Sequence, residues 1–401
     1  MQITFVSNYI NHHQIPFSNA LYKLTGGNYT FVQTEPMEQE RVQMGWQTGD
    51  RPYVKLFYEE PEYCRELLIK SDVVIFGGVN DDSLADERLE AGKMTFRYSE
   101  RLYRTGQWKA VSPRGLKKKY HDHTRHRNKP VYLLCAGAYV PSDYHIIRAY
   151  KNKMYCFGYF PETRHYDIDE LMAGKAGDVP RLLWVGRFLK LKHPELAIEN
   201  ARYLKEKGIA FHLDMVGAGE MEEEIKASIQ RYGLEECVSL HGFVSPGAVR
   251  TYMERANIFL FTSNRLEGWG AVVNEAMNSG CAVVAGHMIG SVPYLLRTGE
   301  NGFVYRDGDV GMLLETVEKL VRDPRLCDKT GRAAYETIVS TWNAENAARS
   351  LYELIEKLQK SPDVSEVNEC PVGGGFAPCM PAPVISERRM FGYLMKKVRK
   401  S

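Results

Sequence analysis

Apolar and polar positions run through this chain in two cycles of short apolar runs separated by amphipathic stretches. In the first cycle the runs are QITFVS, YTFVQT, DVVIFGG, KMTFRY, PVYLLCAG and MYCFGYF, with FSNALYKL and EYCRELLIK between some of them. Short runs rich in β-branched and aromatic residues predict strands, and apolar positions three and four apart predict helices. The polar segment RHYDIDELMAGKAGDVP contains Gly and Pro and predicts a linker over 166–180. The rhythm then restarts. RLLWVG, FHLDMVG, VSLHGF, NIFLFTS and CAVVAG predict strands, and HPELAIENARYLKEKG, EMEEEIKASIQRYG, PGAVRTYMERA and AVVNEAMNSG predict the helices between them.

A β-α-β-α order implies an α/β fold with a mostly parallel, doubly wound sheet in each half. The domains expected are 1–165 and 181–345, with a cleft between them and ligands at the carboxyl ends of the strands. A helix over 346–360 follows and is a candidate to cross back to the first domain. The Pro- and Gly-rich stretch 361–385 predicts a disordered linker. Residues 386–401 form a basic amphipathic tail.

Composition narrows the classes. The chain has 401 residues, 44% apolar and 25% charged, as a soluble globular protein of two or three domains would. A net charge of +2 implies no nucleic-acid partner. No apolar run approaches the ~20 residues that span a bilayer. The opening MQITFVSNYI predicts a first strand rather than a signal peptide, so a cytoplasmic location is expected. The eight cysteines are scattered and predict free thiols, with only Cys370 and Cys379 open to pairing. Two segments are locally basic. PRGLKKKYHDHTRHRNK carries seven Lys and Arg against one Asp, and SERRMFGYLMKKVRKS carries six among apolar residues. Both suit an anionic membrane surface, on its inner face.

Candidate chemistry gathers in the second half. RLLWVG delivers Gly186 and Arg187 at a strand end, and Lys192 follows five residues after Arg187, just before Pro194 opens a helix. Two cations beside helix-start N–H groups suit a diphosphate. Gly217-Ala218-Gly219 ends another strand, but Glu222 stands where a dinucleotide fingerprint needs a third glycine. Acidic residues in that helix's first turn would repel a pyrophosphate. The turn either meets a ligand edge-on or is only tight.

LEGWGAVVNEAMNSG holds Glu267 and Glu275 eight positions apart. At ~1.5 Å per residue, the helix from Gly270 to Glu275 rises about 7–8 Å. That spacing disfavours the ~5 Å pair of a retaining glycosidase. No Asp, His or Cys lies between the two carboxylates to complete a metal site. The remaining reading is two hooks for one long ligand.

VGRFLKLKHPELAI, MVGAGEMEEEI, VSLHGFV, NIFLFTSNRLEGWGAVVNEAMNSGCAVVAG and TGENGFVY resemble, in order, the retaining family four glycosyltransferases of the GT-B fold. The resemblance covers residues 181 to about 345. It implies that Arg187 and Lys192 hold the donor diphosphate and that Glu267 touches the donor sugar. Gly268, Trp269, Gly270 and Ala271 would offer backbone N–H groups, with Gly217 beside them. Glu275 would bind the ribose, and Phe243 and Val244 would flank the base. One departure stands out. Gly290-Ser291-Val292-Pro293-Tyr294 replaces the family's frequent Gly-Gly-Ile-Pro-Glu.

The resemblance further implies retaining sugar transfer from a nucleotide sugar, of UDP or GDP type, to a glycan or lipid-linked acceptor. It implies no metal and no other cofactor. In the first half, Asn11, His12, His13 and Gln14 follow the first strand. His13 is a candidate catalytic residue, and Asn11 and His12 are candidate donor ligands. Ser99, Glu100 and Arg101 are a weaker group, and Asp81-Asp82 reads as a solvated turn. A same-fold epimerase and an inert nucleotide-sugar-binding subunit are the rival functions.

Overall fold

The structure, a computed structural model, describes residues 1–39, 49–79, 83–360 and 375–396. The chain forms two compact units. Met1–Glu162 with Asn343–Ser386 makes the first, and Thr163–Trp342 with the segment from Glu387 onward makes the second.

The first unit is built on a seven-stranded parallel sheet. In chain order its strands are β1 (Ile3–Ser7), β2 (Tyr29–Gln33), β3 (Val54–Leu56), β4 (Val73–Phe76), β5 (Thr95–Ser99), β6 (Val131–Ala136) and β7 (Met154–Phe157). Their spatial order is β3-β2-β1-β4-β5-β6-β7. Every residue of β1, β4 and β6 is buried, which explains why these strands are continuous apolar runs rather than alternating ones. The edge strand β3 escapes the sequence pattern because it has three half-buried residues, one of them Lys55. The helix Ala344–Lys360 belongs to this unit and packs on the helix Ile15–Leu24.

Part of the expected disordered linker is ordered. Residues 361–374 and Cys370 lie outside the described residues. The following segment runs antiparallel along the edge strand β7. Cys379 N–H donates to Cys156 O (2.7 Å), Cys156 N–H to Met380 O (2.7 Å) and Ala382 N–H to Met154 O (2.9 Å). An uncovered edge strand offers unpaired backbone groups, and this Pro-rich segment satisfies them. Cys379 is a buried free thiol, not an exposed one.

The second unit has a six-stranded parallel sheet: β8 (Arg181–Val185), β9 (His212–Val216), β10 (Val238–Leu240), β11 (Ile258–Phe261), β12 (Ala282–Gly286) and β13 (Phe303–Tyr305). Their order is β10-β9-β8-β11-β12-β13. The order reverses between β8 and β11, and ligands of doubly wound sheets bind outside the strand ends at such a point. The helix Pro194–Glu206 shows how sequence positions this layer. Ala197, Ile198, Ala201 and Leu204 fall on one buried stripe, and Pro194 occupies the first turn, where no N–H is required.

The expected linker over 166–180 is instead built into the second unit. Residues 168–173 are helical. Arg164 N–H donates to Asn278 Oδ1 (2.8 Å), and Tyr166 N–H to the Tyr335 hydroxyl (2.9 Å). Lys175 is buried, and its ammonium caps the end of the helix Pro246–Arg255 through Met253 O (2.7 Å) and Ala256 O (2.5 Å). Two of the polar residues that suggested a linker are helix caps, Lys175 for that helix and Asp167 for 168–173.

The tail also folds back. Glu387–Lys396 is a helix of the second unit, with Met390 fully buried and Leu394 7% exposed. The Phe391 ring lies edge-on to His287 at 5.2 Å. The apolar side expected to meet a membrane is occupied by the protein itself.

Candidate functional site

The loops after β8 and β11 meet at the point where the strand order reverses. Thr262, just beyond β11, donates its hydroxyl to Lys192 O (2.7 Å) and His193 O (2.9 Å), and accepts from Trp184 Nε1 (2.9 Å). Asn264 N–H donates to Leu191 O (2.9 Å). These bonds hold the two loops in one register. They bring the Lys192 ammonium into an ion pair with the Glu267 carboxylate, whose side chains are 18% and 14% exposed. The ammonium also lies 5.8 Å from the centre of the Phe261 ring.

His193 adds a second tie. It occupies the left-handed region (φ 49°) and precedes Pro194. Asn264 Oδ1 accepts Leu266 N–H (2.9 Å), so its Nδ2 faces His193 Nε2 at 3.0 Å. That nitrogen then accepts, and Nδ1–H donates to Glu195 Oε1 (2.6 Å). The Glu195 hydrogen bond holds the imidazole above its ordinary range, against the opposing effect of burial. Sequence reasoning passed over Thr262, Asn264 and His193. Their signal was position alone: each lies within a few residues of a predicted strand's carboxyl end or helix start.

Between Glu267 and the helix Val272–Asn278, the backbone turns sharply. Gly270 has φ +79°, and a Cβ there would stand 2.7 Å from the Phe261 ring, so only glycine fits. The first-turn N–H groups of this helix have no intrahelical acceptor. Glu275 lies on the same helix, partly exposed. Trp269, by contrast, is a core residue, 1% exposed, and donates through Nε1 to Asn274 Oδ1 (2.8 Å). Only its backbone can serve a ligand. Its ring packs with Trp342 (5.9 Å) and Tyr294 (6.3 Å), and Tyr294 stacks on Trp342 at 5.8 Å. The aromatic stack explains the departure at position 294, since a carboxylate there would be buried among rings.

Arg187 is exposed beyond β8. Gly217 closes the neighbouring loop for a packing reason. At φ +136°, a Cβ would stand 1.9 Å from Gly186 O, so the glycine allows the β8 and β9 exit loops to touch. Phe243, after β10, is 62% exposed, with Val244 partly buried beside it. Thus Arg187, Lys192, Gly217, Phe243, Val244, Glu267, Gly268, Trp269, Gly270, Ala271 and Glu275 all follow the carboxyl ends of β8 to β11.

Further along this end of the sheet, burial holds the Asp307 carboxyl above its usual range, opposed by His193 and Arg265 and reinforced by Glu387 of the C-terminal helix. His287 accepts Asp307 N–H at Nδ1 (2.9 Å). Burial first, then Arg306, pushes its imidazole down to about 4.

Asn11, His12 and His13 follow β1 in the first unit. Asn11 Oδ1 accepts His13 N–H (3.0 Å), and the two imidazoles pack at 3.8 Å. Burial and then His12 push His13 down to about 3, so it is neutral at physiological pH, able to accept a hydrogen bond but a weak base. Arg101 is engaged elsewhere, in a buried ion pair with Asp143 (3.1 Å), and Glu100 pairs with Arg104. Asp81 and Asp82 lie outside the described residues. Among the described residues, no group of three or more His, Cys, Asp or Glu is placed to hold a metal ion.

The family model of glycosyl transferases group 1 matches residues 171–337, nearly all of the second unit. The amylovoran biosynthesis glycosyltransferase AmsK of Erwinia amylovora is 31% identical over 183 residues, 44% of this chain and 45% of that protein. The putative colanic acid biosynthesis glycosyltransferase WcaL of Salmonella typhimurium is 27% identical over 191 residues, 46% and 47% of the two chains. The matched stretch therefore spans about half the length of these relatives. The crystal structure of Anabaena HepE in complex with UDP covers 89% of this chain and 100% of its own, with a TM-score of 0.65 at 14% identity. The fold is GT-B, with two parallel-sheet α/β units.

Proposed function

We propose that this chain is a retaining glycosyltransferase of polysaccharide assembly that takes its sugar from a nucleoside diphosphate donor. The observation that carries this reading is the Lys192–Glu267 pair at the strand-order reversal of the second sheet. An ammonium and a carboxylate held side by side suit a ligand with a diphosphate next to a hydroxylated ring. The HepE structure holds UDP on the same fold, which favours a uridine donor here.

In this reading Arg187 and Lys192 bind the diphosphate, and backbone N–H groups of Gly268 to Ala271 complete its cradle. Glu267 accepts from donor-sugar hydroxyls, Glu275 from the ribose, and exposed Phe243 with Val244 lies against the base. The bond between the anomeric carbon and the diphosphate oxygen breaks as negative charge grows on the leaving group. Preorganised cations and N–H groups lower the barrier because they meet that charge without rearranging. The acceptor hydroxyl attacks the anomeric carbon from the departing side, and its proton passes to a diphosphate oxygen. The first unit supplies the acceptor, a glycan or lipid-linked saccharide. Neutral His13 accepts a hydrogen bond from a substrate hydroxyl there, with Asn11 and His12 alongside. No cofactor is required.

Calorimetry with UDP- and GDP-sugars tests the reading, followed by nucleotide release with glycan acceptors. Binding of a nucleotide sugar that Arg187→Ala and Glu275→Ala both weaken supports it. Binding without release under any acceptor supports an inert subunit, and release of a changed donor sugar supports an epimerase.

A further inference from the structure

We infer that the first unit carries a membrane-docking face, in which Trp108, Val111, Leu116 and Tyr120 seat in an anionic lipid surface among the cations Lys109, Arg114 and Lys117.

The segment is a short 3₁₀ turn, Gln107–Val111, followed by a helix, Pro113–Lys119, capped at Ser112. The helix buries none of its residues. Trp108 is 69% exposed, Val111 77%, Leu116 42% and Tyr120 58%. Single exposed apolar residues are ordinary, but four large ones within thirteen positions of one surface segment mark an interaction site. Residues 101–121 contain no Asp or Glu. Lys118 is paired with Asp122 and Arg104 with Glu100. Among the described residues, no carboxylate pairs with Lys109, Arg114 or Lys117. The Lys109 ammonium instead lies 5.7 Å from the Trp108 ring centre.

The base of this segment is firmly held. Asp143 is fully buried and accepts from Arg101 (3.1 Å), Tyr103 N–H (3.0 Å) and Gln107 Nε2 (2.9 Å). The apolar tips are therefore presented from a fixed root rather than on a loose loop.

Charge and apolarity together select a lipid surface as the occupant. Headgroup phosphates pair with the cations, while Trp and Tyr favour the interfacial zone and Val111 and Leu116 reach past it. A nucleic acid would use the cations but leave Val111 and Leu116 without a partner. The chain's other basic and apolar stretch, the C-terminal helix, has its apolar side buried against the second unit. The apolar side chains at 107–120, by contrast, stay exposed.

Co-sedimentation of the full chain with phosphatidylcholine vesicles, with and without phosphatidylglycerol, tests the inference. Wild type should bind the anionic vesicles and release them as salt rises. Lys109→Gln/Arg114→Gln/Lys117→Gln should lose roughly a hundredfold in anionic-vesicle affinity, from three cations at the surface. Trp108→Ser/Val111→Ser/Leu116→Ser should lose binding comparably, with an unchanged melting temperature because these side chains are exposed. Arg388→Gln/Arg389→Gln should bind as wild type does. Equal binding of wild type to neutral vesicles overturns the inference. So does unchanged binding of both triple variants, or loss confined to the Arg388/Arg389 variant. Capture of an acidic protein or RNA by the same face without vesicle binding also overturns it. None of these readouts depends on sugar transfer, so the proposed activity can fail independently.

Discussion

The Lys192 ammonium and the Glu267 carboxylate, 75 residues apart in the chain, are ion-paired at the carboxyl ends of β8 and β11. Each fixes the other in a half-buried setting where an unpaired charge is costly. Lys192→Ala is expected to lower turnover by roughly 10²–10³-fold, the usual effect of removing one stabilising donor. Glu267→Gln should also slow the reaction. The double variant should lose less than the product of the two, because each single change already breaks the shared pair. Nucleotide release under single-turnover conditions measures all three.

Glu275 lies on the helix that follows the glycine turn, and in the proposed reading it binds the ribose rather than the reacting sugar. Glu275→Gln is expected to weaken donor binding roughly tenfold, as loss of a charge-assisted hydrogen bond does. The rate at saturating donor should stay near wild type. Titration calorimetry and a KM-against-kcat comparison check this, and an equal fall in both kcat and kcat/KM would place Glu275 at the reacting centre.

Tyr294 stacks on Trp342 and is 3% exposed. Tyr294→Glu restores the residue more frequent in the resembling family but puts a carboxyl among rings. The variant should melt several degrees lower at pH 7 than wild type, and the deficit should shrink toward pH 5. Burial raises a carboxyl's pKa, so the neutral acid is the form the stack tolerates. Thermal melts at the two pH values decide it.

Gly217→Ala places a Cβ against Gly186 O, where backbone meets backbone and neither can yield. A loss of roughly 2–3 kcal/mol is expected from strain of this kind. Denaturant titration measures it. The loop carrying Arg187 should shift too, so donor affinity should fall alongside stability.

Burial, then Arg306, pushes the His287 imidazole down from an ordinary 6.5 to about 4 in the folded protein. The unfolded chain therefore binds the extra proton between those values. Stability is fully present above about pH 6.5 and is lost as pH falls toward 4, by up to about 1.4 kcal/mol per pH unit. His287→Gln should flatten that limb of the stability profile. The C-terminal helix, which rests Phe391 on this imidazole, should gain protease sensitivity in acid in wild type but less so in the variant.

Much of this protein was legible in its sequence because the governing physics is local. Buried parallel strands must be apolar throughout, so β1, β4, β6 and β11 were visible as runs. The placement of Arg187, Lys192, Glu267 and Glu275 beyond β8 and β11 was visible because residues that follow a strand's carboxyl end are delivered to one edge of the sheet. What the sequence could not reveal were partners distant along the chain. Lys175 looks like a linker residue until Met253 and Ala256 come beside it, and Gly217 looks like a ligand turn until Gly186 lies against it. The segment around Cys379 has a disordered composition, yet it covers the edge of β7. Met390 and Leu394 match an amphipathic lipid helix, but the second unit buries them first. Composition and periodicity determine which faces are apolar and where charges fall. Only tertiary packing decides which of those faces water still reaches, because burial is set by neighbours that sequence distance does not encode.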